Sequence, residues 1–342
     1  MGEMVEEQHS YIIEQFIRNP NIVVVAGSLA FGARIARETH GLKLATVHMS
    51  PTVFLSVKKP PRLPTMAIPS WWPRAMVRSM YWLGHRLLID PTMEQVVGKY
   101  RRELRLPNVK NYFQEWIHSK ELVLGLWPDW FAEPVSDWPK NTRLTGFPLF
   151  DNTTPQPLNE KALRFIQEGP LPIIATFGTA MACGQKLFQT TVETCVSQNL
   201  RAILLTPFAD QVPVNLPPFI KRFDFLPLSQ LLPHATALVH HGGIGTTSQA
   251  CAGVPQVITP LAHDQFDNAQ RVCSLGVGAS VPAAKMNTKR LTAAFHQVLG
   301  NQGVRQNAME ISKRFQGQQA FATLVETLEE FGARRPSTKY WV

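Results

Sequence analysis

Cysteine is scarce in this chain. The four present, Cys183, Cys195, Cys251 and Cys273, form no Cys-x-x-Cys pair and have no metal-ligand spacing, so neither a redox pair nor a thiolate metal site is indicated and a reducing cytoplasm is expected. Long apolar runs are also missing, and nothing approaches the length of a membrane span. The opening Met1-Gly2-Glu3-Met4-Val5-Glu6-Glu7 is acidic, so it lacks the basic and apolar regions of a signal peptide. Charge is unbalanced without being massed. There are 34 basic against 25 acidic residues, a net +9, scattered along the chain, which argues against nucleic acid and suits phosphorylated small molecules or an acidic lipid surface.

What is present reads as globular. With 342 residues, 44% of them hydrophobic and 17% charged, the chain is long enough for two domains, each burying its own core. Val5, Ile12, Ile13, Phe16 and Ile17 have helical spacing up to Asn19-Pro20. A β-branched strand from Asn21 to Ala26, a helix from Leu29 to Thr39 and a strand from Leu44 to Met49 follow, a β-α-β rhythm that predicts a parallel sheet. After a proline-rich stretch from Lys58 to Ser70, a helix carries Trp72, Met76, Met80, Leu83 and Leu87 on one face and Arg74, Arg78 and His85 on another. Such a helix suits an anionic membrane surface; the plainer reading is an amphipathic helix covering a sheet.

The polar, proline-bearing Asp151 to Pro157 reads as a linker, dividing a first domain, 1–150, from a second, 158–325, with a tail at 326–342. The second domain continues in βα units: strands at Pro172 to Phe177, Ala202 to Thr206, Phe223 to Phe225, Leu238 to His241 and Gln256 to Thr259, with helices at Gln185 to Asn199, Thr246 to Ala252, from Asp267 and from Thr288. Arg305 to Phe331 is helical in pattern.

The densest chemical signal is the run Leu238-Val239-His240-His241-Gly242-Gly243-Ile244-Gly245-Thr246-Thr247-Ser248-Gln249-Ala250, followed by Gly253-Val254-Pro255 and His263-Asp264-Gln265-Phe266-Asp267-Asn268. Glycines at 242, 243 and 245 let main-chain N–H groups approach an anion closely. The hydroxyl residues that follow open a helix, where free N–H groups and the positive dipole end favour negative charge. His241, at the strand end, is placed to donate to the same phosphates. The competing reading is a plain glycine turn whose histidines are satisfied by backbone groups.

These residues resemble the donor-binding motif of family-one nucleotide-sugar glycosyltransferases. The resemblance extends upstream through Phe225-Leu226-Pro227-Leu228 and Leu231-Leu232-Pro233-His234 to Ile173-Ile174-Ala175-Thr176-Phe177-Gly178-Thr179-Ala180. It implies an α/β chain of GT-B architecture, two Rossmann-like parallel-sheet domains facing a cleft, the first binding the acceptor and incomplete here, the second binding the donor. By motif position, Phe225 stacks on the nucleobase and Leu226 reads its edge. Gly178, Thr179, His241, Gly243, Gly245 and Thr246 surround the diphosphate. Gln249 stands where many relatives hold both ribose hydroxyls with a glutamate, and its amide loses the charge-assisted bonds. Asp264 and Gln265 bind hydroxyls of the transferred sugar. The plain alternatives are a core phenylalanine at 225, a strand-end turn at 178–179 and a helix cap at 264.

The reaction implied is transfer of a hexose-type sugar from a UDP- or dTDP-sugar to a small-molecule or lipid hydroxyl, with inversion. No Asp-x-Asp pair occurs, so no metal site and no cofactor are assigned; preplaced donors on the leaving diphosphate carry the catalytic stabilisation. The step needs a general base. The family's usual base lies in a glycine-bearing loop after the first strand, and the present sequence has no such segment. Its opening helix and strand resemble the middle of the family's first domain, so either translation begins further upstream or a shortened chain is the product. The carboxylate that partners the base would fall near Gly27. His9, His40 and His48 lie outside any matching motif, and no catalytic residue is assigned. The alternative function is a noncatalytic nucleotide-binding partner. A cytoplasmic location is expected, with peripheral contact at the inner face of the membrane.

Overall fold

The structure is a computed structural model describing residues 2–64, 66–149, 157–178, 184–315 and 317–334. It divides into two compact units, one formed by residues 1–61, 67–148 and 317–342, the other by residues 62–66 and 149–316.

The first unit holds a parallel sheet of order β1-β2-β3-β4: β1 Val23–Gly27, β2 Lys43–His48, β3 Leu122–Gly125 and β4 Thr142–Leu144. β1 is an edge strand, and its Val25 is exposed. Helices Gly2–Arg18 and Phe31–His40 pack together, and Ile12, Ile13 and Phe16 meet Ala33, Ala36, Leu42 and Leu44. The helix Gly317–Ala333 lays Leu324, Leu328 and Phe331, at helical spacing, on Ala45, Leu122 and Leu124. The boundary expected at 325/326 falls inside this helix, which the contacts join to the first unit.

The helix Arg74–Gly84 continues through a wide turn at His85–Ile89; Arg74 and Arg78 are exposed, but the buried stripe is not the expected apolar face. Val77, Tyr81 and His85, an i, i+4 series, are buried, whereas Met76, Leu83 and Leu87 are exposed. The sequence pattern misled because the buried stripe holds a tyrosine and a histidine, and His85 is kept there by a contact of 3.4 Å from Nδ1 to Asp90.

The second unit is a six-stranded parallel sheet, order β10-β9-β8-β5-β6-β7. Its strands are β5 Ile173–Thr176, β6 Ala202–Leu205, β7 Ile220–Phe223, β8 Ala237–His240, β9 Gln256–Ile258 and β10 Gly278–Ser280. Both faces are covered, so the strands read as unbroken apolar runs. Ile173, Ala175, Ala202, Leu204 and Val239 point to one core with Leu187, Phe188 and Leu291. Ile174, Ile203, Leu205 and Leu238 point to the other, with Phe165, Leu226 and Leu231.

The strand expected at Phe223 to Phe225 is instead Ile220–Phe223. Its partner β6 ends at Leu205, opposite Phe223, and Phe225 falls in the loop beyond. Strand order reverses between β5 and β8, whose registers place Thr176 beside His240. That reversal opens a crevice at the carboxyl ends of the two strands, where α/β sheets bind ligands.

Candidate functional site

The loops that leave β5 and β8 meet at this crevice. Gly178, φ +93°, lies so close to His241 that a Cβ there would sit 3.3 Å from the imidazole Cε1. Gly242 turns the chain out of β8 at φ +91°, and a Cβ on it would lie 2.6 Å from Ile258 Cγ2. That is a position only glycine fits without strain. A Cβ on Gly243 would lie 2.5 Å from His241 Nε2, so the histidine ring covers this residue.

The two histidines differ. His240 is fully buried; its Nε2 pairs with Gln256 Oε1 at 3.0 Å and its Nδ1 accepts from the Gly242 N–H at 3.2 Å. Burial pushes it down to about 3, so it is a neutral structural group, as the plainer reading held. His241 has a buried Nδ1 without a hydrogen-bond partner among the described residues. Burial lowers its basicity, and the Asp264 carboxylate acts in the opposite sense. A buried nitrogen of this kind costs free energy until something bonds to it.

Asp264 and Gln265 come to the same place on the loop after β9. His263, at φ +52°, turns the chain before the helix Gln265–Ser274. Gln265 Oε1 accepts from the Leu261 and Ala262 N–H groups at 2.8 and 3.1 Å, so it clamps its own loop. Asn268, which the sequence reading passed over, donates from Nδ2 to both the Gly242 carbonyl and the Asp264 carboxylate at 2.9 Å. It ties the glycine turn to the acidic residue. Its only sequence signal is its position one helical turn after Asp264. Behind it, buried Asp267 accepts from Arg62 N–H at 2.9 Å and Arg271 Nε at 2.7 Å.

The remaining predicted residues lie on the same sheet. Gly245 and Thr246 are in the first turn of the helix Ile244–Ala250, whose leading N–H groups have no intrahelical acceptor. No atom would lie within 4 Å of a Cβ on Gly245. Gln249, later in this helix, lines a cavity of about 440 Å³ together with Ser229, Leu232, Pro233 and Val254. Its Oε1 is buried without a partner among the described residues, as is the Thr247 hydroxyl. Phe225 is 62% exposed, so it is not the core residue of the plainer reading, while Leu226 is buried under the sheet. Thr179 lies outside the described residues. Among those described, no group of three or more His, Cys, Asp or Glu side chains is arranged to hold a metal ion.

Residues 202–331 match the family described as "Erythromycin biosynthesis protein CIII-like, C-terminal domain". That stretch takes in the second unit from β6 onward and runs into the helix Gly317–Ala333. A sterol 3-beta-glucosyltransferase of Komagataella phaffii is 29% identical over 227 residues, 61% of this chain and 19% of the relative. The chain therefore spans about a fifth of that protein. In fold it is similar to the glycotransferase of kitacinnamycin, with TM-score 0.73, 18% identity and coverage of 94% of this chain and 79% of that one. It is also similar to the glycosyltransferase VinC in complex with dTDP, with TM-score 0.63, 19% identity and coverage of 96% and 74%. The two parallel-sheet units are those of GT-B glycosyltransferases.

Proposed function

We propose that this chain transfers a sugar from a nucleoside-diphosphate donor, UDP- or dTDP-linked, to a hydroxyl acceptor with inversion at the anomeric carbon. The observation that carries the reading is the His241 imidazole: a buried, unpartnered nitrogen at the switch point of a parallel sheet, enclosed by Gly178, Gly242 and Gly243. Diphosphate oxygens supply the missing partner, and the first-turn N–H groups at Gly245 and Thr246 share the charge. Gly245 leaves that approach open. No metal ion is assigned to this step; stabilisation of the leaving diphosphate falls to these donors.

Exposed Phe225 supplies a flat ring for the nucleobase, with Leu226 main-chain groups at its edge. Gln249 offers its orphaned oxygen to a ribose hydroxyl. Asp264 accepts from hydroxyls of the sugar, and Gln265, whose oxygen is taken by its own loop, donates from its amide nitrogen. Thr179 is proposed as a diphosphate contact by motif position alone. The VinC complex and the sterol glucosyltransferase support a nucleotide donor and a sterol-like or other small hydroxyl acceptor.

The exposed set Trp71, Met76, Trp82, Leu83, Leu87 and Leu88 lies among Arg74, Arg78 and Arg86. Apolar surface of this size beside cations fits an anionic lipid surface, and we assign it peripheral contact with one. No helix among the described residues is long and apolar enough to cross a membrane.

Calorimetric titration with UDP and dTDP, and release of UDP from UDP-glucose, test the donor reading. Heat for at least one nucleotide is expected. A folded sample that binds neither overturns the donor site, and binding without sugar transfer to any hydroxyl identifies a noncatalytic nucleotide-binding protein.

A further inference from the structure

A cavity of about 470 Å³ lies wholly within the first unit, and no residue of the donor site lines it. The helix Phe31–His40 brings Arg34, Arg37 and Glu38 to its wall, at i, i+3 and i+4 on one helix face. Arg101, Lys110 and Lys120 reach the same wall from the helix Lys99–Glu103, the stretch after it and the approach to β3. Five cations thus line the cavity with two carboxylates, Glu38 and Glu115.

Both carboxylates already have partners. Glu38 accepts from Trp116 Nε1 at 2.6 Å and from Arg101 Nη1, while exposed Glu115 accepts from Asn111 Nδ2 at 3.1 Å. Arg101 donates its other Nη to the Pro107 carbonyl at 2.8 Å. Arg37 pairs with Glu121 at 3.0 Å.

Arg34 is the exception. Only 7% exposed, it donates from Nε to the Trp116 carbonyl at 2.6 Å, and its guanidinium carbon lies 5.9 Å from the Trp116 ring centre. Its two Nη groups have no hydrogen-bond or carboxylate partner among the described residues, and neither is sealed in the core. Burial draws the group down to about 10, Arg37 and Arg101 adding to the effect and Glu38 and Glu121 opposing it. It stays charged at neutral pH. A buried cation without a counter-charge is destabilising, and an anion in the cavity relieves it.

We propose that this cavity binds a phosphate monoester, held by the Arg34 Nη fork with Lys110 and Lys120 beside it. A planar guanidinium matches two phosphate oxygens at once. The two lysines are exposed and have no carboxylate partner among the described residues, so they complete the charge of a dianion. The volume is that of a small-molecule pocket, larger than phosphate alone needs, and Leu106, Pro107 and Val109 supply an apolar wall for the organic part. A soluble phosphate ester and a lipid with a monoester headgroup share this chemistry.

Calorimetry compares glucose 6-phosphate with glucuronate, a sugar carrying one carboxylate. Binding of the phosphate ester is expected, with glucuronate at least about tenfold weaker. Arg34→Met should weaken glucose 6-phosphate roughly 10- to 100-fold, the loss for a hydrogen-bonded charge. Lys110→Gln combined with Lys120→Gln should weaken it by about 2- to 30-fold, the range for two exposed charge pairs. This double variant touches only exposed side chains, so it decides the matter where Arg34→Met melts early. Saturating UDP-glucose, a phosphate diester, leaves the affinity as it was.

Pelleting with phosphatidylcholine vesicles carrying phosphatidic acid or phosphatidylserine separates the sources. If glucose 6-phosphate gives no heat, retention on phosphatidic acid above phosphatidylserine, lost in both variants, assigns the site to a lipid. Binding of neither probe, equal binding of glucuronate, or binding that persists in both variants overturns the proposal. Competition by UDP-glucose places the phosphate in the donor site and overturns it as well.

Discussion

The imidazole of His241 occupies the space that a side chain at residue 178 would need, with Cε1 only 3.3 Å from where a Gly178 Cβ would stand. One contact thus joins the loop after β5 to the loop after β8, at the reversal of strand order. It also makes the two glycines next to His241 separable by experiment.

Gly242→Ala forces a Cβ to 2.6 Å from Ile258 Cγ2 at φ +91°. The strain and the clash are expected to cost about 1–3 kcal/mol of stability. Gly243→Ala instead meets the movable His241 ring at 2.5 Å. It should melt near the wild-type temperature and bind UDP or dTDP more weakly. Thermal melting and calorimetry on the two variants check the contrast; equal melting temperatures contradict it.

His241→Ala removes the donor assigned to the diphosphate. A hydrogen bond to a charged group contributes about 1.5–3 kcal/mol, so affinity for UDP or dTDP should fall roughly 10- to 100-fold. Unchanged affinity refutes the phosphate role.

Gln249→Glu restores the charge-assisted contact to ribose, and a tighter dissociation constant for UDP is expected. The same change places a carboxylate where a buried amide oxygen now stands, so the apo protein should melt lower. Gln249→Leu should lose affinity. Titrations of the three forms, with melts in the absence of nucleotide, decide the matter; weaker binding by the glutamate variant counts against the ribose role.

Acid should destabilise the fold before the carboxylates are protonated. His240 is held at about 3, and the His48–His118 pair at about 3 and 4, against an ordinary 6.5. The unfolded chain gains protons as pH falls through 6.5, while the folded chain refuses them until pH 3–4. Stability is therefore complete above 6.5 and is lost on the way down, by ~1.4 kcal/mol per pH unit for each histidine. Urea unfolding between pH 7.5 and 5.0 measures the slope, and a flat profile across that interval would contradict the buried neutral state.

Trp82→Ser combined with Leu87→Ser should abolish pelleting with anionic vesicles of phosphatidylserine and phosphatidylcholine. Raised salt should weaken wild-type pelleting through Arg74, Arg78 and Arg86. A wild type that stays in the supernatant at low salt removes the membrane contact.

The sequence alone was enough for the parallel α/β pattern, because strands covered on both faces must be apolar throughout, as in Ile173–Thr176 and Ala237–His240. It also marked the glycine turn, since Gly242 meets a steric demand that no other residue fulfils. Local pattern reaches no further than local contacts. It could not tell buried, satisfied His240 from its unpartnered neighbour His241, because the difference lies in Gln256, on the adjacent strand. It sorted the helix Arg74–Gly84 by polarity, and packing buried Val77, Tyr81 and His85 in place of Met76, Leu83 and Leu87. It missed Asn268, and it could not connect Ser28, His48 and His118, far apart along the chain yet joined through His48 at 2.7 and 3.0 Å. Only the parallel sheet, by bringing the carboxyl ends of its strands together, decides that those three form one line.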